Sequence, residues 1–65
     1  MTKSVHVVKI APSYFEAVGH GQTWIIVAHS RLNWEAYDYA NPAHCFVGIK
    51  GYKEALNRVM AEIGK

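Results

Sequence analysis

The sequence predicts one small α+β domain, a three-stranded antiparallel sheet with a C-terminal helix packed on one face. Two segments rich in β-branched residues, a later short apolar segment and a C-terminal segment with helical apolar spacing lead to this prediction. The chain has 65 residues, of which 51% are hydrophobic, so residues 1–65 have room for one core and no second domain.

The first two strands are predicted over Ser4–Ile10 and Thr23–His29. The first is rich in β-branched residues and stops before Pro12. The second is apolar at both alternating positions, which favours a central strand over an edge strand.

The segment between these strands has two interpretations. Ser13 and Glu16 have the spacing of a capping box, which favours a single helical turn closed by Gly19. The alternative is a long hairpin whose turn is formed by residues 19–21, in which His20 lies between two glycines.

The third strand is predicted over His44–Ile49, directly before the helix. Residues 31–42 stay ambiguous, because Asn33 is a suitable cap for a short helix while the following residues fit a strand or an ordered loop equally well. Asn41 and Pro42 end whatever structure precedes them.

The helix is predicted from Tyr52 onward, with Gly51 as N-cap and Gly64 at the C′ position. Glu54 and Arg58 form a favourable i,i+4 pair on its exposed side. Its apolar side consists of residues at helical spacing, namely Tyr52, Ala55, Leu56, Val59, Met60 and Ile63.

Charge and cysteine content favour a cytoplasmic protein. The formal charge is +2 and the pI is about 8.9, with the basic residues scattered along the chain. Cys45 is the only cysteine, so no disulfide within the chain is expected, and we expect this thiol to pack as a small apolar residue. Neither a secretory signal nor a membrane-spanning segment is recognisable.

Catalytic and metal sites are not expected, and neither is a cofactor. The four histidines (His6, His20, His29 and His44) and Cys45 have none of the spacings typical of zinc ligands. The adjacent His44 and Cys45 would point to opposite sides of a strand, which separates the thiol from the nearest base. We therefore expect a non-enzymatic protein.

A stretch of aromatic and charged residues after the second strand is the predicted protein-binding site. Tyrosine supplies a large contact area with a polar tip, and a core this small has no room for all eight aromatic side chains. Trp34 is assigned to the core and at least one nearby tyrosine to the surface. The predicted partner-binding residues are Arg31, Glu35, Tyr37, Asp38 and Tyr39.

Nucleic-acid binding is the alternative function. Lys50, Lys53 and Arg58 would form a modest basic patch around the start of the helix, although a solvated helix face explains them as well. Homodimerisation is compatible with either function, because a small sheet with one open side gains stability from pairing.

Two resemblances bear on the function. The stretch from Gly51 to Leu56 resembles the start of the helix in the half-fold of HicB-type antitoxins. The proline- and glycine-bearing motif of that family is absent, so neither toxin binding nor DNA binding is carried over from it. An antitoxin-like regulator stands beside nucleic-acid binding as the alternative function. In size and composition the chain is similar to small accessory proteins of phages and mobile elements, including anti-CRISPR inhibitors. That similarity implies an inhibitor that occludes one surface of a host protein.

Overall fold

A computed structural model describes residues 5–63, which form a five-stranded antiparallel sheet followed by one helix. Each strand pairs with the next along the chain, in the order β1-β2-β3-β4-β5. The predicted three-stranded sheet is therefore wrong, although the layout is α+β with a C-terminal helix. The elements are β1 (His6–Ala11), β2 (Tyr14–Gly19), β3 (Gln22–Ser30), β4 (Asn33–Asp38), β5 (Cys45–Ile49) and α1 (Tyr52–Glu62).

β2 is the first of the two strands that were not among the three predicted. It forms a tight hairpin with β3, in which Gly19 pairs with Gln22 and two residues make the turn. His20 and Gly21 have φ angles of 50° and 74°, as a type I′ turn requires at its two central positions. The hairpin interpretation of this segment is thus correct, and the helical turn beginning near Ser13 is wrong.

β4 is the second additional strand, and it resolves the ambiguous segment. It pairs with β3 from Asn33, opposite Ser30, to Asp38, opposite Trp24. Trp34 and Ala36 lie on the side of the sheet that the helix covers, as their places in and against the core show. Glu35 and Tyr37, which alternate with them along the strand, point the other way, which is the alternation of a strand with one buried face.

The helix packs on one side of the sheet, called here the core face. Ala55 and Val59 are fully buried, and α1 contacts β3, β4 and β5. Gly51 is the N-cap, as predicted, and its carbonyl accepts a hydrogen bond of 3.1 Å from the Ala55 N–H. The core between helix and sheet comprises Ala17, Trp24, Ile26, Ala36, Ile49, Ala55, Val59 and Ile63.

Some predictions fall beyond the described part of the chain. Ser4, at the start of the first predicted strand, and Gly64, the predicted C′ residue, lie outside residues 5–63. Within that range, no helix has the length and apolar composition needed to cross a membrane.

The other side of the sheet, called here the open face, has no second layer among residues 5–63. Strand register places a continuous set of side chains on it, because residues paired across strands share a face. Its central members are Tyr14, Glu16, Ile25, Val27, Glu35 and Tyr37, which we call the tyrosine–glutamate cluster.

Candidate functional site

The tyrosine–glutamate cluster is built from two rows of paired residues across β2, β3 and β4. In one row Ile25 lies between Glu16 and Tyr37. In the next row Val27 lies between Tyr14 and Glu35. Each outer strand therefore carries one tyrosine and one glutamate, and the two glutamates occupy opposite corners around an apolar centre.

The side chains of Tyr14 and Tyr37 meet across the middle of this cluster. The Tyr37 hydroxyl is hydrogen-bonded to Tyr14. Burial is the largest cause of a raised pKa of Tyr37, followed by this hydrogen bond and the negative charge of Glu35. Ile25 is only 1% exposed although no helix covers this face. Its shielding must therefore come from neighbouring side chains of the same face.

Glu35 also has a partner at the edge of the cluster. His29 Nε2 and Glu35 Oε1 are 2.7 Å apart, and the two side chains are 53% and 29% exposed. Because both groups remain in contact with water, this pair contributes little to stability. Glu35 is thus positioned but still accessible to a charged group from outside.

Exposed apolar side chains surround the cluster on the same face. Val18 is 38% exposed, Val8 is 41% exposed and Val47 is 70% exposed. Cys45 pairs with Tyr37 and is also exposed, so the prediction that its thiol packs inside the domain is wrong. The edge strand β5 has its core-facing residue Phe46 between these two positions, which turns both Cys45 and Val47 outward.

The structure brings together only two of the five predicted partner-binding residues. Glu35 and Tyr37 belong to the tyrosine–glutamate cluster. Arg31 lies in the turn before β4, where its carbonyl accepts a hydrogen bond of 3.1 Å from Trp34 Nε1. Tyr39 lies beyond the other end of the strand and is 68% exposed, in line with the expectation that at least one tyrosine stays at the surface.

Asp38 has a structural role in the loop that follows β4. Its Oδ1 accepts a 3.0 Å hydrogen bond from the Ala40 N–H. Its own N–H donates to the carbonyl of His44, also at 3.0 Å. Asp38 therefore organises the connection to β5, whereas Glu35 and Tyr37 remain the candidates for contact with a partner.

The residues of the alternative nucleic-acid site lie on the helix and in the connection before it. Arg58 is 3.5 Å from Glu54 and lies over the Phe46 ring at 5.8 Å. Lys53 lies in the first turn of α1, roughly 140° around the helix axis from Arg58 at 3.6 residues per turn. Lys50 precedes the helix in the connection from β5. Lys53 and Arg58 therefore point in different directions from the helix axis.

A second cluster of side chains lies on the core face, where the β4–β5 loop meets the last turn of the helix. The rings of Trp24 and His44 meet edge to face at 5.0 Å, and Trp24 stacks with Phe46 at 5.8 Å. His44 Nε2 is 3.2 Å from Glu62 Oε1 in the last turn of the helix. These contacts place the β4–β5 loop next to the core face and the helix, while the His44 side chain stays 46% exposed.

The described residues were also compared with two other kinds of site, a ligand pocket and a metal site. Residues 5–63 form no pocket, and no three of their His, Cys, Asp and Glu side chains come together as metal ligands would. Comparison with known protein families, curated sequences and solved structures yields no match. The tyrosine–glutamate cluster and the exposed valines around it are thus the features of the described residues from which a function can be argued.

Four members of the cluster were missed by reasoning from the sequence. Tyr14 and Glu16 lie in β2, which was open between helix and strand, while Ile25 and Val27 were assigned only to a central strand. The alternation of Tyr14, Glu16 and Val18 with Phe15 and Ala17 was the available signal, since it is the pattern of a two-faced strand.

Proposed function

We propose that this protein is a non-enzymatic protein-binding module that contacts its partner through the open face of the sheet. The supporting observation is the set of exposed valines around the tyrosine–glutamate cluster, because exposed apolar patches on small domains often mark interaction sites. The cluster places two half-buried tyrosines inside this ring of valines, and aromatic anchors surrounded by weaker contacts are typical of binding hot spots.

The mode of action expected from the sequence is part of this proposal. The partner is a host protein, and binding blocks one of its working surfaces, as in small inhibitors encoded by phages and mobile elements. A rigid sheet face suits this task, because side chains on a sheet are held in place before the partner arrives, which lowers the entropic cost of binding.

The test is affinity capture with three forms of the chain, followed by affinity measurement on the purified captured protein. The first is the unmodified chain. The second carries Val8→Ser and Val47→Ser, which alter exposed positions of the open face. The third carries Lys53→Ala and Asn57→Ala, which alter exposed positions of the helix. All three are expected to keep the same fold, and circular dichroism checks this.

The open-face form should bind the captured protein about thirtyfold more weakly, since losing about 1 kcal/mol at each valine raises the Kd by that factor. The helix form should bind like the unmodified chain. Equal affinity for all three forms, or a loss confined to the helix form, would show that the open face is not the binding surface.

A further inference from the structure

We propose that the tyrosine–glutamate cluster recognises basic side chains of the partner, arginine above all. This inference rests on the proposed function and adds the chemistry of recognition. Charged side chains are distributed unevenly between the two faces of the sheet. Glu16 and Glu35 are the charged carboxylates of the open face, whereas none of the Lys and Arg residues within 5–63 occupies a strand position on it.

The described basic residues lie elsewhere for clear topological reasons. Lys9 is paired with Phe15, which packs against the core, so its side chain is on the core face of the edge strand. Arg31 is in a turn and Lys50 in a connection. Lys53 and Arg58 belong to the helix. The open face therefore combines apolar contact area with net negative charge, and complementary charge is what selects among partners.

The arrangement of the cluster suits the guanidinium group in particular. Each glutamate has a tyrosine two positions away on its own strand, Tyr14 for Glu16 and Tyr37 for Glu35. Arginine forms two parallel hydrogen bonds with a carboxylate and stacks on an aromatic ring at the same time, which lysine does not do. The cluster thus offers this combination twice.

The two glutamate–tyrosine pairs have a defined spacing. The glutamates lie on strands two apart in the sheet and two residues apart along the strands. Strand separation of about 4.8 Å and a rise of about 3.4 Å per residue put their Cα atoms about 12 Å apart. Arginines at the first and fifth positions of an extended peptide are about 13 Å apart, so one extended basic segment matches both.

A second copy of the chain is a poorer occupant of the same face. Two open faces in contact would bring four glutamates into one interface, and among residues 5–63 only His6 and His29 of each copy would oppose them there. The sheet measures about 24 by 20 Å, so such a dimer would bury roughly 1,000 Å² in total, the lower limit for a stable interface. Like charge in that area weakens it further.

The probe for this inference is a capped pentapeptide that alternates arginine with valine. Two matched peptides carry citrulline or glutamate in place of arginine. Binding is followed by NMR chemical shifts of the labelled chain at low and high ionic strength. The variants are Glu16→Gln with Glu35→Gln, and as a control Glu54→Gln on the exposed side of the helix.

The arginine peptide should shift the signals of Ile25, Val27 and Tyr37, and the Glu16→Gln/Glu35→Gln form should bind it at least about tenfold more weakly, as should high salt. The Glu54→Gln form should bind it normally. Equal binding of the citrulline peptide, or shifts confined to the helix, would overturn the inference. Light scattering that shows a dimer dissociating as the peptide binds would overturn it in favour of a second copy.

These outcomes separate the inference from the proposed function. If the captured protein depends on Val8 and Val47 but is indifferent to Glu16→Gln and Glu35→Gln, the open face binds a partner by apolar contact alone and only the inference fails. If binding of the captured protein is unaffected by the open-face valines, the proposed function itself fails.

Discussion

Ile25 and Ile26 are neighbours in β3 whose side chains point to opposite sides of the sheet, and replacing each by alanine tests how the two sides are built. Ile26 is fully buried in the core under the helix. Ile25 is 1% exposed on the open face. Equal burial thus arises from two different environments, a core closed by the helix and an open face on which neighbouring side chains of the sheet shield Ile25.

The expected costs follow from those environments. The Ile→Ala change removes Cγ1, Cγ2 and Cδ1, which is about 2.4 kcal/mol of lost apolar transfer at about 0.8 kcal/mol per carbon. At Ile26 the sheet and helix hold the cavity open, so the loss rises to about 3–5 kcal/mol. At Ile25 no second layer holds the cavity open, so the neighbouring side chains of the open face can settle into the space and the loss stays at about 2 kcal/mol.

Urea unfolding followed by tryptophan fluorescence measures both costs. A domain of this size has a total stability of about 3–10 kcal/mol. The Ile25→Ala change should lower the Tm by about 10 °C, and the Ile26→Ala change should lower it by about 20 °C or more. A cost below about 0.5 kcal/mol for Ile25→Ala, the range of ordinary surface substitutions, would refute the shielding of this residue on the open face.

Substitutions at three further positions test other contacts. The pKa of Tyr37 lies above its ordinary value of 10.0, so its contribution to stability is full below about pH 10 and is lost as the pH rises through the raised pKa. In an absorbance titration at alkaline pH, Tyr37 should therefore ionise later than an ordinary tyrosine, and Tyr37→Phe should remove this late ionisation. Trp24 Nε1 is buried with no acceptor among residues 5–63, so Trp24→Phe should cost about 1 kcal/mol or less in urea unfolding, because an unpaired donor is removed, whereas Trp24→Ala should cost about 3–5 kcal/mol. Glu62→Gln should lower the free energy of unfolding by less than about 1 kcal/mol, because its partner His44 is 46% exposed; a larger loss would mean that this contact anchors the loop.

The sequence alone predicted those elements in which apolar spacing and residue propensity indicate the same secondary structure. The helix from Tyr52 and the strands β1, β3 and β5 have strong apolar or β-branched patterns. β4 was ambiguous because Asn33, Glu35, Ala36 and Asp38 have low β-propensity. Strand formation there is decided by pairing with β3, since Trp34 and Ala36 complete the core while Glu35 and Tyr37 face outward.

The candidate site was less accessible to sequence reasoning for a related reason. Glu35 and Tyr37 were identified as surface residues, but their neighbours Tyr14 and Glu16 come from another part of the chain and meet them only through the register of β2, β3 and β4. Cys45 was expected inside because cysteine is usually buried. Its position on an edge strand, one residue before the core-facing Phe46, turns it outward instead.

The central claim is that the open face of the sheet binds another protein, and methyl-group NMR tests it most directly. The captured protein is added to the chain with labelled methyl groups, and the signals on the two sides of the domain are compared. The account predicts that Val8, Val27 and Val47 shift or broaden while Leu56 and Met60 on the helix keep their positions. Perturbation of the helix methyl groups with unchanged valine signals would contradict it.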